Sequence, residues 1–263
     1  MIFQGFHKLY EIVKRFELKN NLKHQFFLKN LTLSLMYYCA GKDLKKKSAK
    51  SRSLKELVDL ALNYNYSICK YLPPMLILTA QQIKSELNKF SKLLISKKPK
   101  TVLEIGTANG GTLFLLSRLS KPNSVIISVD LPESPYMGGI DYKSKIFFKS
   151  FAYNHQKIVM IREDSHKLST LEKVKKLLKS NKVDVLFIDG DHTYNGVKKD
   201  FNMYRNLVRK NGIIVFHDII EITNEDGVEV NKFWSEIKKD NTYIEIVEDW
   251  NQDYGGIGII ING

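Results

Sequence analysis

The amino-acid sequence predicts an α/β fold, in which a helical region precedes a seven-stranded, mostly parallel sheet that ends in an antiparallel hairpin. Apolar strand candidates alternate with helical patterns from residue 100 onward. Two of these runs are almost continuously apolar, as in strands buried on both faces. The last two runs lie too close together for a crossover helix, so they should pair as a hairpin. The seven candidates are 101–105, 125–129, 158–162, 183–188, 213–217, 243–247 and 257–261.

The amino-terminal region contains no convincing strand and several helical patterns. Apolar residues recur with helical spacing over 9–16, and 22–38 is richer still in apolar residues. A basic, serine-containing stretch follows at 41–53 and is typical of a linker. We therefore predict a helical cap or oligomerisation region over 1–78 and a main domain over 79–263.

Two capping boxes are predicted in this part of the chain. Ser53 and Glu56 have the spacing of a box that opens a helix to about residue 69. Thr79 and Gln82 have the spacing of a second box, before a helix that runs to about residue 95 and stops ahead of Pro99.

Composition limits the class of protein. Hydrophobic residues make up 43% and charged residues 26% of the 263, which is ordinary for a globular chain and argues against wholesale disorder. The two cysteines, Cys39 and Cys69, form no C-x-x-C pair, so neither a disulfide framework nor a thiolate zinc site is indicated. There is no signal-peptide pattern at the start and no run of about 20 apolar residues. We expect a cytoplasmic protein without a transmembrane segment.

The formal net charge of +13 suggests nucleic acid as a partner, but the distribution of the charge argues otherwise. Lysines are spread along the chain, and one cluster falls in the basic stretch 41–53 without interleaved aromatic residues. This pattern favours a solvated surface over a specific nucleic-acid site. Contact with an anionic lipid surface or a polyanionic glycan stays open.

A glycine-rich turn follows the first strand candidate and precedes an apolar helical run. Its glycines are Gly106, Gly110 and Gly111, and Ala108 stands where the dinucleotide fingerprint has its second glycine. Such a turn lets backbone N–H groups approach a nucleotide cofactor, and the spacing argues against NAD and FAD. Asp130 ends the next strand candidate, where a carboxylate can accept hydrogen bonds from both ribose hydroxyls. The alternative is a plain turn with a surface aspartate.

Titratable residues follow two later strand candidates. Asp189 and His192 come after 183–188, and His217 and Asp218 end 213–217. Because ligands bind at the carboxyl ends of strands in open α/β sheets, Asp189, His217 and Asp218 could converge on one divalent cation. Carboxylates suit Mg²⁺, whereas an imidazole favours a softer ion such as Mn²⁺. In the alternative, His217 is a hydrogen-bonded core histidine and Asp218 caps a loop.

The turn from Glu104 to Gly110, together with Asp130, resembles the first motif of class I S-adenosylmethionine-dependent methyltransferases. The segments 187–194 and 215–218 resemble a branch that includes macrolide sugar O-methyltransferases and cephalosporin-hydroxylase-like proteins. His217 stands where that branch has an acidic ligand. The resemblance implies a Rossmann-like sheet and places the adenine ring against the segment after the third strand. The residues it marks for the cofactor are Glu104, Gly106, Thr107, Gly110, Asp130, Asp164 and Ser165.

The same resemblance implies a function and assigns roles to the polar residues. Asp189 and Asp218 would hold Mg²⁺ or Mn²⁺, and His192 would act as base on a sugar or small-molecule hydroxyl that receives the methyl group of S-adenosylmethionine. For Asp164 and Ser165, the alternative is a helix-capping loop before a box at 169–172. We further expect a small-molecule or glycan acceptor, a homo-oligomer and no specific nucleic acid. Rival functions are a cephalosporin-hydroxylase-like or non-catalytic cofactor-binding protein, or a nucleic-acid methyltransferase.

Overall fold

The computed structural model describes residues 22–67, 76–132, 144–222 and 227–263. Its helices are α1 (Leu22–Lys50), α2 (Leu54–Asn63), α3 (Lys84–Lys97), α4 (Gly111–Leu119), α5 (Ser144–Lys149), α6 (Leu168–Leu178), α7 (Tyr194–Tyr204) and α8 (Val230–Ile237). Its strands are β1 (Tyr64–Tyr66), β2 (Leu76–Leu78), β3 (Thr101–Ile105), β4 (Val125–Asp130), β5 (Lys157–Arg162), β6 (Val183–Ile188), β7 (Val208–His217), β8 (Tyr243–Ile246) and β9 (Ile257–Ile261).

The main sheet has seven strands in the order β5-β4-β3-β6-β7-β9-β8. All neighbouring pairs are parallel except the two that involve β9, which runs antiparallel to both β7 and β8. The α/β class, the parallel sheet and the terminal hairpin are therefore confirmed. Strand β7 begins at Val208, five residues before the predicted start, because it carries an irregular pairing with β6 near Val183.

Helices cover both faces of this sheet. Neighbouring residues along a strand point to opposite faces, and so Val102 packs in the cluster with α1 to α5 while Leu103 packs in the cluster with α6 to α8. Both residues are completely buried. Burial on two sides explains why the central strands are continuously apolar in sequence. No described helix combines the length and the apolar character needed to cross a membrane.

The amino-terminal prediction needs three corrections. Helix α1 continues to Lys50, so the basic stretch 41–53 is mainly helical rather than a linker. Helix α2 ends at Asn63, and the chain then forms β1, which pairs antiparallel with β2. These three-residue strands are too short to produce an alternating pattern in the sequence. The predicted helix over 9–16 lies outside the described residues, and the boundary between 1–78 and 79–263 stays a prediction.

One predicted capping box is confirmed and two are wrong. Ser53 Oγ accepts a hydrogen bond from the backbone N–H of Glu56 at 3.2 Å, as the first box requires. Helix α3 begins at Lys84 without a side-chain cap, so Thr79 and Gln82 do not open it. Helix α6 begins at Leu168, which places the predicted box at 169–172 inside the helix. The polar side chains of the second box have a different role, described below.

The segment between β2 and α3 packs directly on the glycine-rich turn. The backbone N–H of Ala80 donates to the carbonyl of Ala61 at 2.9 Å, and the N–H of Gly111 donates to the carbonyl of Thr79 at 3.3 Å. A Cβ on Gly111 would overlap the backbone of Thr79 and Ala80. This close approach requires glycine at the start of α4 and fixes the amino-terminal segment against the edge of the sheet.

Candidate active site

A cleft of about 790 Å³ opens at the carboxyl edge of the parallel strands. The ends of β3, β4, β6 and β7 form its floor and walls, the segment 79–82 closes one side, and Tyr254 reaches it from the loop before β9. This is the edge at which open α/β sheets bind their ligands. The structure thus brings the glycine-rich turn and both groups of polar residues into one cavity.

Gly106 is required where the turn leaves β3. Its φ is +85°, and a Cβ there would overlap the backbone carbonyl of Asp189, the residue that follows the neighbouring strand β6. The backbone N–H of Gly106 donates to the carbonyl of Val129 at 2.9 Å, and that of Asp189 donates to the carbonyl of Ile105 at 2.8 Å. The ladder therefore continues past the strand ends and holds the turn against the site.

Asp130 binds the backbone of the turn as well as lining the cleft. Its Oδ2 accepts from the N–H groups of Thr107 at 3.1 Å and Ala108 at 3.0 Å, and its Oδ1 accepts from the N–H of Leu131 at 2.8 Å. Burial raises the pKa of Asp130, and these three hydrogen bonds oppose the rise. Oδ2 uses both of its lone pairs in this way, so Oδ1 is the oxygen that keeps acceptor capacity for a hydroxyl in the cleft.

Glu104 and Gly110, predicted to contact the cofactor, do not line the cleft. Glu104 is completely buried beneath the turn, where its Oε2 accepts from Thr107 Oγ1 at 3.0 Å. Burial raises the pKa of Glu104 well above its usual range, and Oε1 has no hydrogen-bond partner among the described residues. Gly110 packs against the ring of Phe148 with φ +81°. Both residues shape the turn from behind.

Asp164 and Ser165 lie in the cleft wall after β5, as the sequence predicts. Asp164 Oδ1 accepts from the backbone N–H of His166 at 2.8 Å, and its carbonyl accepts from Thr170 Oγ1 at 2.7 Å. The carbonyl of Ser165 accepts from Tyr204 OH at 2.7 Å. These bonds order the loop before α6, although no side chain caps that helix. Contact of Asp164 and Ser165 with the adenine ring stays a prediction.

His166 and Asp200 form a pair behind this loop that sequence reasoning missed. His166 Nε2 lies 3.3 Å from Asp200 Oδ1 and 3.2 Å from the carbonyl of Gly196. Asp200 is completely buried on α7. The Asp200 carboxylate raises the pKa of His166, although partial burial of the ring works against its charge. The two residues are 34 positions apart in different elements, so no local pattern could reveal them.

We expect Asp200→Asn to destabilise the protein more at about pH 6 than at about pH 9. The pKa of His166 is higher in the folded state, so the pair stabilises fully below the unfolded value and loses its effect as the pH rises through the folded value. Urea unfolding of parent and variant at both pH values measures this difference. Glu172→Gln, at an exposed position of α6, is a control that should change the free energy of unfolding little at either pH. Equal losses for Asp200→Asn at both pH values would show that the pair carries no charge interaction.

Two histidines and two aspartates meet where β6 and β7 end. His217 Nδ1 lies 3.3 Å from Asp189 Oδ1 and 3.2 Å from Asp218 Oδ1. His192 Nε2 lies 3.5 Å from Asp189 Oδ1, and its Nδ1 lies 3.6 Å from Asp218 Oδ2. Ligand atoms of Asp189, His192 and Asp218 all lie within 4.8 Å of one another, a spacing that one cation can bridge.

The two histidines differ in depth. The His217 side chain is 3% exposed although it belongs to the cleft lining, and its Nε2 has no hydrogen-bond partner in the described part of the chain. The His192 side chain is 35% exposed and reaches the cleft. Both histidines therefore line the cleft, with His217, predicted as a metal ligand, the more buried of the two and His192 the more open.

Electrostatics in this cluster favour a positive charge between the carboxylates. Burial alone would raise the pKa of Asp189, but His217 and His192 hold it well below its usual range. Burial opposes charge on His217, and yet Asp218 and Asp189 raise its pKa well above the usual value. In the described residues, the ion pairs of both aspartates are with histidines alone. A divalent cation bound between the carboxylates would supply positive charge at the same place.

Gln82 is a site residue that the sequence did not reveal. It is 4% exposed, its Nε2 donates to Asp189 Oδ2 at 2.9 Å, and its Oε1 accepts from Thr112 Oγ1 at 3.0 Å. Gln82 and Asp189 are 107 positions apart. The spacing of Thr79 and Gln82 predicts a capping box, and nothing in the local sequence distinguishes that role of Gln82 from its contact with Asp189.

The part of the chain that contains most of the cleft is similar to known proteins. Residues 103–219 match the family model described as a methyltransferase domain. An uncharacterized protein of Acanthamoeba polyphaga mimivirus is 34% identical over 122 residues, which cover 46% of this chain and 52% of that protein. The match thus spans about half the length of this curated relative.

Two solved structures share the fold. The first is an O-methyltransferase from Bacillus cereus in complex with SAH, with TM-score 0.52, 18% identity, and coverage of 70% of this chain and 84% of that one. The second is the O-methyltransferase TomG from Streptomyces achromogenes, involved in tomaymycin synthesis, in complex with SAM. Its TM-score is 0.50 at 16% identity, covering 68% of this chain and 80% of that one. Residues 103–219 thus match a methyltransferase domain, and the chain shares the fold of these two O-methyltransferases. The narrower branch named above stays a prediction.

Proposed function

We propose that the protein transfers the methyl group of S-adenosylmethionine to a hydroxyl oxygen of a sugar or small molecule, with the help of a divalent cation. One observation carries this proposal: Asp189, His192 and Asp218 share a cleft with the glycine-rich turn and Asp130. A cofactor bound along the turn would have its reactive end beside two carboxylates and an imidazole. Positioning two reactants in this way can contribute on the order of 7–11 kcal/mol to catalysis.

The described residues fit the cofactor. Gly106 in the turn lines the cleft, and Asp130 lies at the next strand end with acceptor capacity for a ribose hydroxyl. Asp164 and Ser165 lie in the adjoining wall, where the adenine ring would bind. The two structural neighbours were solved with SAM or SAH, which supports the same cofactor here.

The carboxylates fit a cation by their donor chemistry. The carboxylate oxygens are ligands that suit Mg²⁺, and the nearby imidazoles favour the softer ion Mn²⁺. Asp189 and Asp218 would hold the ion, and the more buried His217 would orient both carboxylates through its Nδ1. When bound, the ion would lower the pKa of the acceptor hydroxyl and fix its position.

His192 is placed to act as the base. It lies on the open side of the carboxylates, within the cleft, where an acceptor hydroxyl must approach. As the oxygen attacks, a C–O bond forms, the S–CH₃ bond of the sulfonium breaks, and the hydroxyl proton passes to His192. The products are the methyl ether and S-adenosylhomocysteine. Transfer of the methyl group requires no covalent intermediate with the protein.

Cofactor binding gives the first test of this function. Asp130→Ala should weaken the binding of S-adenosylhomocysteine by roughly 1–3 kcal/mol, because buried ribose hydroxyls would lose a charged acceptor. Isothermal titration calorimetry measures this, with Asp240→Ala in the exposed turn before β8 as the control. Parent-like affinity of Asp130→Ala would refute the ribose assignment. A parent protein that binds neither S-adenosylmethionine nor its product would refute the proposed function.

The charge of the cleft argues against the nucleic-acid alternative. The carboxylates of Asp130, Glu163, Asp164, Asp189, Asp191 and Asp218 all line it. No lysine or arginine belongs to the lining within the described residues. Such a cavity disfavours phosphate groups despite the net charge of +13 on the whole chain. An uncharged hydroxylated acceptor fits this lining better than a polyanion.

A further inference from the structure

The segment between β2 and α3 contacts Asp189, one of the two proposed metal-binding aspartates, through one buried side chain. Gln82 makes two hydrogen bonds there, one to Asp189 and one from Thr112 in the first turn of α4. The direction of both bonds is fixed by chemistry. Because an ionised carboxylate only accepts, the amide N–H must point to Asp189, and the amide oxygen must face the Thr112 hydroxyl.

Four residues after Gln82, the same segment binds the loop that contacts Asp218. Glu86 on α3 is completely buried, and its carboxylate accepts from the backbone N–H groups of Glu248 at 3.0 Å and Gly256 at 2.9 Å. It also accepts from Gln252 Nε2 at 2.8 Å. These three bonds hold the loop that precedes β9.

That loop in turn binds Asp218. The backbone N–H of Gly255 donates to Asp218 Oδ1 at 3.1 Å. Asp218 itself has φ +58°, in the left-handed region, which aspartate adopts more readily than most non-glycine residues. Glu86 therefore acts on Asp218 through the loop, as Gln82 acts directly on Asp189.

We propose that the segment 79–86 positions the two aspartates for the cation, with Gln82 as the positioning residue of Asp189 and Glu86 as that of Asp218. The inference rests on the metal site of the proposed function. Each donor occupies one lone pair of a carboxylate oxygen, fixes the rotation of the group, and leaves other lone pairs directed at the cleft. Loss of such supporting hydrogen bonds commonly weakens metal binding by about 10- to 100-fold.

The test measures Mn²⁺ binding to the full chain by electron paramagnetic resonance of the free ion, without cofactor or acceptor. Gln82→Met keeps the length of the side chain and removes both hydrogen bonds, so we expect Kd for Mn²⁺ to rise by about 10- to 100-fold. Asn202→Met replaces an amide by the same side chain at an exposed position of α7 outside the cleft lining and should leave Kd near that of the parent. Affinity for S-adenosylhomocysteine in Gln82→Met should stay within about twofold of the parent, because a locally displaced Asp189 leaves the turn intact.

Two further variants protect the test against a folding failure of the first. Thr112→Val keeps the shape of its side chain and removes the hydroxyl that orients the Gln82 amide, so a smaller loss in the same direction is expected. Glu86→Gln keeps the size of the side chain and weakens the acceptor for the loop, which should also weaken Mn²⁺ binding. Parent-like Mn²⁺ affinity in all three variants would overturn the positioning role while leaving the metal site standing. A parent that does not bind Mn²⁺ would overturn the metal site and this inference together.

Discussion

His192→Ala is expected to lower turnover by about 10²- to 10⁴-fold, the usual range for loss of a general base. The variant should bind S-adenosylhomocysteine and Mn²⁺ as the parent does, because His192 lies on the open side of the carboxylates and the glycine-rich turn does not depend on it. The measurement is kcat with an acceptor identified from a panel of hexoses, glycosides and phenols. Calorimetry and Mn²⁺ titration of the same preparation complete it.

The control separates the base from any general effect of losing a histidine. His155 is exposed in the turn before β5, at the opposite edge of the sheet, and has φ +61°. His155→Asn suits this backbone, since asparagine tolerates positive φ, and should leave kcat unchanged. If His192→Ala loses Mn²⁺ affinity by tenfold or more, His192 is a ligand rather than the base. Parent-like turnover would exclude it from catalysis.

Asp189→Ala provides the contrast within the same cluster. It removes a proposed ligand together with the partner of both histidines, so metal-stimulated activity and Mn²⁺ affinity should disappear together. The pair of variants thus distinguishes a residue that holds the ion from one that moves a proton. Full turnover in chelator-treated parent protein would contradict the metal-assisted mechanism for both.

The sheet could be predicted from the sequence because its signal is local. Strands such as 183–188 are apolar except at Asp184, and their spacing along the chain determines which neighbours need crossover helices. The strand ends then place Asp130, Asp189 and Asp218 at one edge without further information. The fold and the main polar residues of the cleft follow from this pattern.

The supporting residues could not be predicted, because their partners are distant in sequence. Gln82 is 107 positions from Asp189, and Glu86 is 170 positions from Gly256. A glutamine or glutamate near a helix start fits a capping pattern equally well. Only the packing of the segment 79–86 against the carboxyl edge of the sheet decides between the two roles. The same limit applies to Asp200, whose burial beside His166 depends on how α7 crosses the sheet.

Gly106→Ala is expected to lower the free energy of unfolding by about 2–5 kcal/mol and to abolish measurable cofactor binding. Two costs add at this position. A φ of +85° strains any residue with a Cβ, and the added methyl group would overlap the carbonyl of Asp189. Relief requires β3 and β6 to separate at the carboxyl edge, which would break the hydrogen bond from Asp189 N–H to Ile105 and distort the turn.

Gly227→Ala separates the cost of backbone strain from the cost of the collision. Gly227 has φ +90°, but a Cβ there meets no atom of the described residues within 4 Å, so the substitution adds backbone strain without a collision with them. It should lower the free energy of unfolding by about 1–2 kcal/mol. Urea unfolding of both variants, with calorimetry of S-adenosylhomocysteine binding, measures the difference. The excess loss in Gly106→Ala reports the collision with β6. If both variants unfold at the same urea concentration, the turn and the end of β6 are not in contact as the structure places them, and the glycine at 106 serves only its own backbone conformation.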